Sequence, residues 1–410
     1  MIMTIIQPYQ GDGIDYGVDD YMVVDLDSTS PQTFNPAYIP YTLISIEIFN
    51  SSMTKVGVID QYQYFTYTDL WFDIDTWEMQ VNRYVTGVSV LTLGGFIRFT
   101  HNGQSKVGII ERIERNLGPE GKSSEMWLIS GRGVEAILQA RLATYGAASG
   151  TGYQTFTTTS ATNIMRTIVT NDCISTAANR IITGLSLDAS PVADASSLNY
   201  STRYQPLTDI FYDICTQVGA SYALVWTGTG LNFTFNVKWG TDRSASVKIS
   251  PDFDNVNSFD YLLTNAELKN LAYVGGTGTA ASRTVSAVYV SSEPTGWTRK
   301  ETFVEASDCL DAGSIAARGA STLATMGVQT VLQVEYRESN TFKYGTDFFN
   351  GDTVTVIYPG IVSTVGQIVG ATERFDSKGI LTTLTIGRVY PTLLGIMKSQ
   401  NKAVTAQVRR

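Results

Sequence analysis

A chain of 410 residues with 16% charged and 11% aromatic residues has room for about two to four domains and is too apolar for a disordered polymer. Its formal net charge is −9, and Lys and Arg are scattered except for Arg409-Arg410, which excludes a concentrated basic face for nucleic-acid phosphates. No apolar run reaches the ~18 residues of a membrane span, Met1 to Pro8 lacks the basic start of a signal peptide, and Cys173, Cys215 and Cys309 are too far apart and odd in number to form a disulfide framework. The cysteines read as reduced core residues of a chain assembled in a cytoplasm.

In chain order, residues 1–40 scatter Asp12, Asp15, Asp19, Asp20, Asp25 and Asp27 among Gly, Tyr and Pro. No register supplies the ligand spacing of an EF-hand, so the segment reads as a solvated arm that docks on a neighbour. From Leu43 clean alternation begins, with Ile44, Ile46 and Ile48 on one face, then strands at Lys55 to Ile59 and at Trp77 to Val81 with Trp77, Met79 and Val81 inward. A helix from Gly133 to Leu142 closes this first domain, 41–142, which reads as a β-barrel or sandwich.

Residues 143–252 read as an α/β domain. A Gly/Ala/Ser/Thr loop from Thr144 to Thr158 precedes a helix that Ser160 can cap, carrying Ile164, Met165, Ile168 and Val169. Leu207, Ile210, Phe211, Ile214, Cys215 and Val218 then follow helical spacing up to a Gly219 stop. Strands at Tyr222 to Trp226 and Leu231 to Lys238 pair across Gly228-Thr229-Gly230. Strands resume at Phe259 in a second β-domain, 253–395, with a helix inserted near 311–326 and Ile315, Gly319 and Leu323 inward; 396–410 is a polar tail.

The stretch GGFIRFTHNGQSKVGIIERIERNLGPEGKSSEMWLISGR from Gly94 is echoed by NGDTVTVIYPGIVSTVGQIVGATERFDSKGILTTLTIGR from Asn350. Val107-Gly108 matches Val365-Gly366, Ile110 matches Ile368, Glu114-Arg115 matches Glu373-Arg374 and Gly131-Arg132 matches Gly387-Arg388. Both copies read as a three-stranded meander with Gly-bearing turns. The predicted fold class is therefore α+β and β-rich, with two similar small β-barrel domains flanking an α/β insert.

Chemistry is sparse. His101, the only histidine, falls at a His-Asn-Gly hairpin turn and reads as an exposed turn residue, and one His with three scattered Cys excludes zinc. Gly275-Gly276-Thr277-Gly278 lacks the third Gly and the following helix of a phosphate loop. Asp252, Asp254 and Asp260, or Asp69, Asp73, Asp75 and Glu78, could pair as a glycosidase acid and base, with Trp71 and Trp77 beside the second group. Acidic turn residues are the commoner reading of such carboxylates, and Trp77 fits the inward strand face and reads as core. No catalytic, cofactor or metal residue is assigned.

SGRGVEAILQARL from Ser130, QPLTDIFYDICTQVGASYALVW from Gln205, KWGTDRSASVKISPDFDNVNSFDYLLTNAELKNLAYVGGTG from Lys238, Ala317-Arg318-Gly319 and FFNGDTVTV from Phe348 together resemble the hub proteins of long-tailed phages, including the N-terminal domains of tail-associated lysins. Through them the chain is similar to the baseplate hub of contractile-tailed phages. The resemblance spans roughly Tyr41 to Pro391 and contains no catalytic motif. It implies a virion structural protein at the tail tip: a homotrimer whose two barrels per chain form a pseudo-sixfold ring. Such a symmetry adaptor joins the sixfold tail tube and distal tail protein to a threefold tip with its fibre or receptor-binding proteins. DNA and tape-measure protein would pass through the channel without specific binding. Residues 1–40 have no counterpart in the family, and the chain ends about 20 residues past the second module, where many relatives continue into a lytic domain. A carboxylate-based cell-wall hydrolase and a host-glycan receptor-binding protein are the alternatives.

Overall fold

The computed structural model describes residues 44–118, 121–144, 154–278, 282–306, 312–337, 342–358, 360 and 362–387. The expected arm (1–40), the tail (396–410), Cys309 and Arg388 lie outside the described residues. The first module contains β1 (Ile46–Phe49), β2 (Lys55–Ile59), β3 (Tyr64–Leu70), β4 (Thr76–Asn82), β5 (Phe96–His101), β6 (Gln104–Gly118) and β7 (Gly121–Gly133), then a one-turn α1 (Ala136–Gln139). Alternation places Phe65, Tyr67, Trp77, Met79, Val81 and Ile129 in one core, as expected for half-buried strands. The helix expected through Leu142 is shorter because Leu142 bridges Pro206 and the Ala143 N–H donates to the Gln205 carbonyl at 3.0 Å, which draws the chain out of helical geometry.

The insert holds β8 (Gln154–Thr159), α2 (Ala161–Val169), β9 (Leu185–Leu187), β10 (Leu198–Thr202), α3 (Leu207–Val218), β11 (Ala220–Trp226) and β12 (Phe233–Trp239). The strand at Gln154 starts inside the segment expected to be loop, where it pairs with β10. Ser160 Oγ accepts from the Asn163 N–H, and Gly219 ends α3 in the left-handed region at φ 79°, the conformation that favours glycine. Both helices bury their predicted apolar stripes in one core, to which β1, β5 and β6 contribute Phe49, Phe96 and Val107.

The second module contains β13 (Lys248–Ile249), β14 (Val256–Thr264), a small unit of β15 (Leu271–Gly275), β16 (Val285–Tyr289), β17 (Glu301–Glu305) and α4 (Ala312–Thr325), then β18 (Gln329–Tyr336), β19 (Thr353–Tyr358), β20 (Val362–Asp376) and β21 (Gly379–Gly387). β13 pairs with β19 and brings Val247 and Ile249 into the second module's core. The small unit has a core of its own, where Gly319 of α4 lies against Val274 and Val288 with no space for a Cβ.

The fold is thus β-rich with an α/β insert. Thirteen of the described strands form one sheet, ordered β14-β18-β21-β20-β3-β4-β7-β6-β5-β1-β2 with β19 and β13 added beside β20, and each half covers a separate core. The internal echo is structural: β5-β6-β7 and β19-β20-β21 are both antiparallel meanders built on a 15-residue central strand. Each central strand breaks register at a matching place, at Glu111 between Ile110 and Arg112 and at Val369 between Ile368 and Gly370, and β6 breaks again between Asn116 and Gly118. Such bulges fix register. Aligning them pairs Ile113 with Ala371, so Glu114-Arg115 falls one residue out of register with Glu373-Arg374. The letters match, but the side chains lie on opposite faces of the sheet.

Candidate assembly interface

The two modules join edge to edge. β3 pairs antiparallel with β20 from Tyr64↔Asp376 to Leu70↔Gly370. On the core side the second module's Phe375 is fully buried inside the first module's core, 6.0 Å from Phe65 and 6.4 Å from Phe99 between ring centroids. His101 belongs to this junction. Its Nδ1 lies 2.8 Å from Glu373 Oε1, its ring meets Phe375 edge-on, and its side chain is only 14% exposed, so the exposed-turn expectation is corrected. The turn itself is as expected, with Asn102 and Gly103 at positive φ; the side chain is covered because β20 arrives from 272 residues away in sequence. On the opposite face Thr68 Oγ1 and Thr372 Oγ1 are 3.1 Å apart.

At the Leu70 end the junction meets the insert through a cluster of charges. Lys106 Nζ bonds Asp69 Oδ2 and lies 3.6 Å from Asp75 Oδ2; Asn350 Nδ2 donates to Asp69 Oδ1 at 2.8 Å. Asp75 accepts from Tyr67 Oη and from the Leu70 N–H, while Glu135 Oε1 accepts from the Leu224 N–H at 2.9 Å. Burial raises Asp69, but the charges of Lys106 and Lys238 outweigh it and hold that carboxyl at about 2. Burial, then the Asp69 charge, pushes Asp75 up; burial, then the Asp75 charge, pushes Glu135 up to about 7.

A carboxylate held ionised beside one whose affinity for a proton is raised is the division of labour a glycosidase needs. Here both oxygens of Asp69 and of Asp75 are committed to protein donors, and the cluster ties the two modules to the insert, so a structural network is the reading supported. Of the other acidic candidates, Glu78 accepts from Tyr64 Oη on the far side of the sheet, Asp73 accepts from the Ile74 N–H, Asp254 pairs with exposed Arg337, and Asp260 lies on β14. Trp77 is core, and the Trp71 Nε1–H donates to the Gly219 carbonyl. Lys106, Glu135, Lys238 and Asn350 carry no sequence signal, because four separate segments supply them.

Glu135 gives the cluster a pH signature. Its carboxyl binds a proton more tightly folded, near 7, than unfolded, near 4.5, so this contribution is fully present below pH 4.5 and is lost as pH rises to 7. Glu135→Gln keeps the acceptor for Leu224 and imitates the protonated form. It is expected to leave the urea midpoint unchanged at pH 4.5 and to raise stability at pH 8 by on the order of 1–3 kcal/mol, discounted for partial exposure. Equal midpoints for variant and parent at pH 8 would disprove the raised carboxyl.

The same register identifies two open edges. Carrying the paired strands across the two modules makes β14 the counterpart of β3: Phe259 stands where Phe65 does, Tyr261 where Tyr67 does and Leu262 where Thr68 does. Tyr67 is 2% exposed and Tyr261 42%, because β20 covers β3 whereas β14 ends the sheet among the described residues. The second edge is the far half of β6, from Arg112 to Gly118, which pairs with β7 on one side and corresponds to the half of β20 that holds β3.

The family model for Siphovirus ReqiPepy6 Gp37-like proteins matches residues 45–388. No curated protein sequence matches the chain. Among solved structures, a tail protein from Neisseria meningitidis MC58 is similar at 14% identity and TM-score 0.55 over 84% of this chain and 96% of its own. The 43 kDa tail protein of prophage MuSo2 from Shewanella oneidensis is 12% identical with TM-score 0.56 over 84% and 98%. Prophage tail protein gp18 from Listeria monocytogenes EGD-e is 13% identical with TM-score 0.52 over 88% and 99%. At such identities the likeness establishes a shared fold.

Proposed function

This chain belongs to the Siphovirus ReqiPepy6 Gp37-like protein family, and from that membership and the two open edges we propose that it is a phage tail-tip hub, a homotrimer closing a pseudo-sixfold ring. The observation that carries the reading is that the intramolecular β3–β20 joint has both of its counterparts, β14 and the far half of β6, at edges unpaired among the described residues. Repeating that joint between chains pairs Ser258–Thr264 of one copy with Arg112–Gly118 of the next. Tyr261 then lies beside Arg115, Leu263 beside Ile113 and Leu262 beside Glu114. Three chains with modules at 41–142 and 253–395 give six similar joints of two kinds, and closure pairs both of these edges.

In such a ring the lumen is the polar face of the sheet, opposite Phe65, Met79 and Phe375. Thr66, Thr68, Glu78, Arg112, Ser130 and Arg374 already line one trough there, and Asp260, Glu114, Glu335 and Asp376 share the face. Carboxylates outnumber guanidinium groups. A passing nucleic acid would meet no net basic lining to hold it, which suits passage of DNA and tape-measure protein. The insert at 143–252 and the arm at 1–40 face outward in this reading, toward the distal tail protein, the tail tube and the tip fibre or receptor-binding proteins of the virion. Assembly in the host cytoplasm, without enzymatic activity or a cofactor, completes the proposal.

The 3.1 Å contact between Thr68 and Thr372 supplies the test. In the double variant Glu114→Cys/Leu262→Cys, mild oxidation should give a band at three chain masses on denaturing gels. Neither single variant should give it. A dimer only, a ladder beyond three, or no cross-link would sink the ring.

A further inference from the structure

A cavity of ≈ 510 Å³ opens where the β5–β6 hairpin, β12 and the 344–352 loop meet, a boundary between domains and a size common for small-ligand sites. Its charged lining is largely self-neutralising, since Lys106 pairs with Asp69 and Arg243 with Asp352 at 2.7 Å, while His101 Nδ1 lies in hydrogen-bonding contact with Glu373. Hydrogen-bonding capacity remains elsewhere. Asn236 Oδ1, Asn350 Oδ1 and Trp239 Nε1 are buried and make no hydrogen bond among the described residues, and all three residues line the cavity. Asn350 is 8% exposed, and its amide orientation is fixed because Nδ2 donates to two acceptors of Asp69, the carbonyl and Oδ1. Buried polar atoms left unpaired cost about 1–3 kcal/mol each, so they mark a place where an occupant is stabilising.

We propose that this cavity binds one neutral pyranose ring. Hydroxyl groups are the chemistry that both donates, as the two amide oxygens require, and accepts, as the indole N–H requires. Trp71, Tyr344 and Phe349 line the cavity and are the aromatic rings on which the C–H side of a sugar would pack. An anion is disfavoured because the paired charges cancel and the lining retains Asp188 as well as Lys238. The site differs from the open strand edges, so it holds whether or not the ring forms.

Ligand-observed NMR on the full chain with glucose, galactose and N-acetylglucosamine, and with glycerol as an acyclic control, tests it. At least one sugar should bind with a Kd of roughly millimolar or tighter, and glycerol should not. Trp239→Phe, which keeps a ring and loses the donor, and Asn236→Ala should each weaken binding about tenfold with an unchanged unfolding midpoint, the equivalent of one hydrogen bond. Were either variant to misfold, hydrogen exchange of the parent chain decides: sugar should slow it at 236–239 and 344–352. No sugar binding, binding indifferent to both variants, or exchange unchanged at those segments overturns the site.

Discussion

Lys106→Met is expected to cost about 3–5 kcal/mol at pH 8, the range for removing one partner of a buried pair. The substitution preserves the aliphatic stem but leaves Asp69, Asp75 and Glu135 with Lys238 as the remaining cation of the cluster, since Lys106 is what bonds Asp69 directly and approaches Asp75. In the parent chain Asp69 ionises well below its unfolded range, so its contribution is present above pH 3.8 and is lost as pH falls toward 2. Without Lys106 that contribution disappears and the cluster gains affinity for protons. The deficit should therefore be smaller at pH 5 than at pH 8. Urea unfolding at the two pH values measures both quantities. A variant as stable as the parent at pH 8 would show that the pair holds nothing together, and a deficit that grows on acidification would reverse the assigned sign.

Phe211→Ala should cost a further about 3–5 kcal/mol, an amount comparable with the whole stability of many domains. Phe211 is fully buried on α3, with its ring 5.1 Å from Tyr222 edge-on and 5.5 Å from Phe235 at a tilt. Removing it empties the space where α3 lies on β11 and β12, and the rigid rings around it cannot collapse inward. Loss of soluble chain, or early unfolding of 154–239 followed by hydrogen exchange, is the expected outcome. A soluble chain with the parental midpoint would mean that the helix presents this face to a partner instead of to its own core.

The α3 stripe and the two meanders were legible because helical and strand periodicities are local. Ile210, Phe211 and Ile214 share a face wherever the helix packs, and Trp77, Met79 and Val81 alternate regardless of what covers them. The same locality made the expected helix through Leu142 too long, since its end is set by Gln205 and Pro206 in another segment. Glu114-Arg115 and Glu373-Arg374 look equivalent as letters, and only the bulges at Glu111 and Val369 show them to be one residue apart.

Sequence by itself thus determined that two meanders flank an α/β insert and that resemblance to tail hubs spans most of the chain. Tertiary structure alone decided that His101 is covered by Phe375 and Glu373, that Lys106, Glu135 and Asn350 converge on two aspartates, and that β14 repeats β3 with no second strand beside it among the described residues. The reason is physical. A side chain's burial and ionisation depend on groups brought near by pairing of strands hundreds of residues apart, and spacing along the chain carries no record of which edges meet.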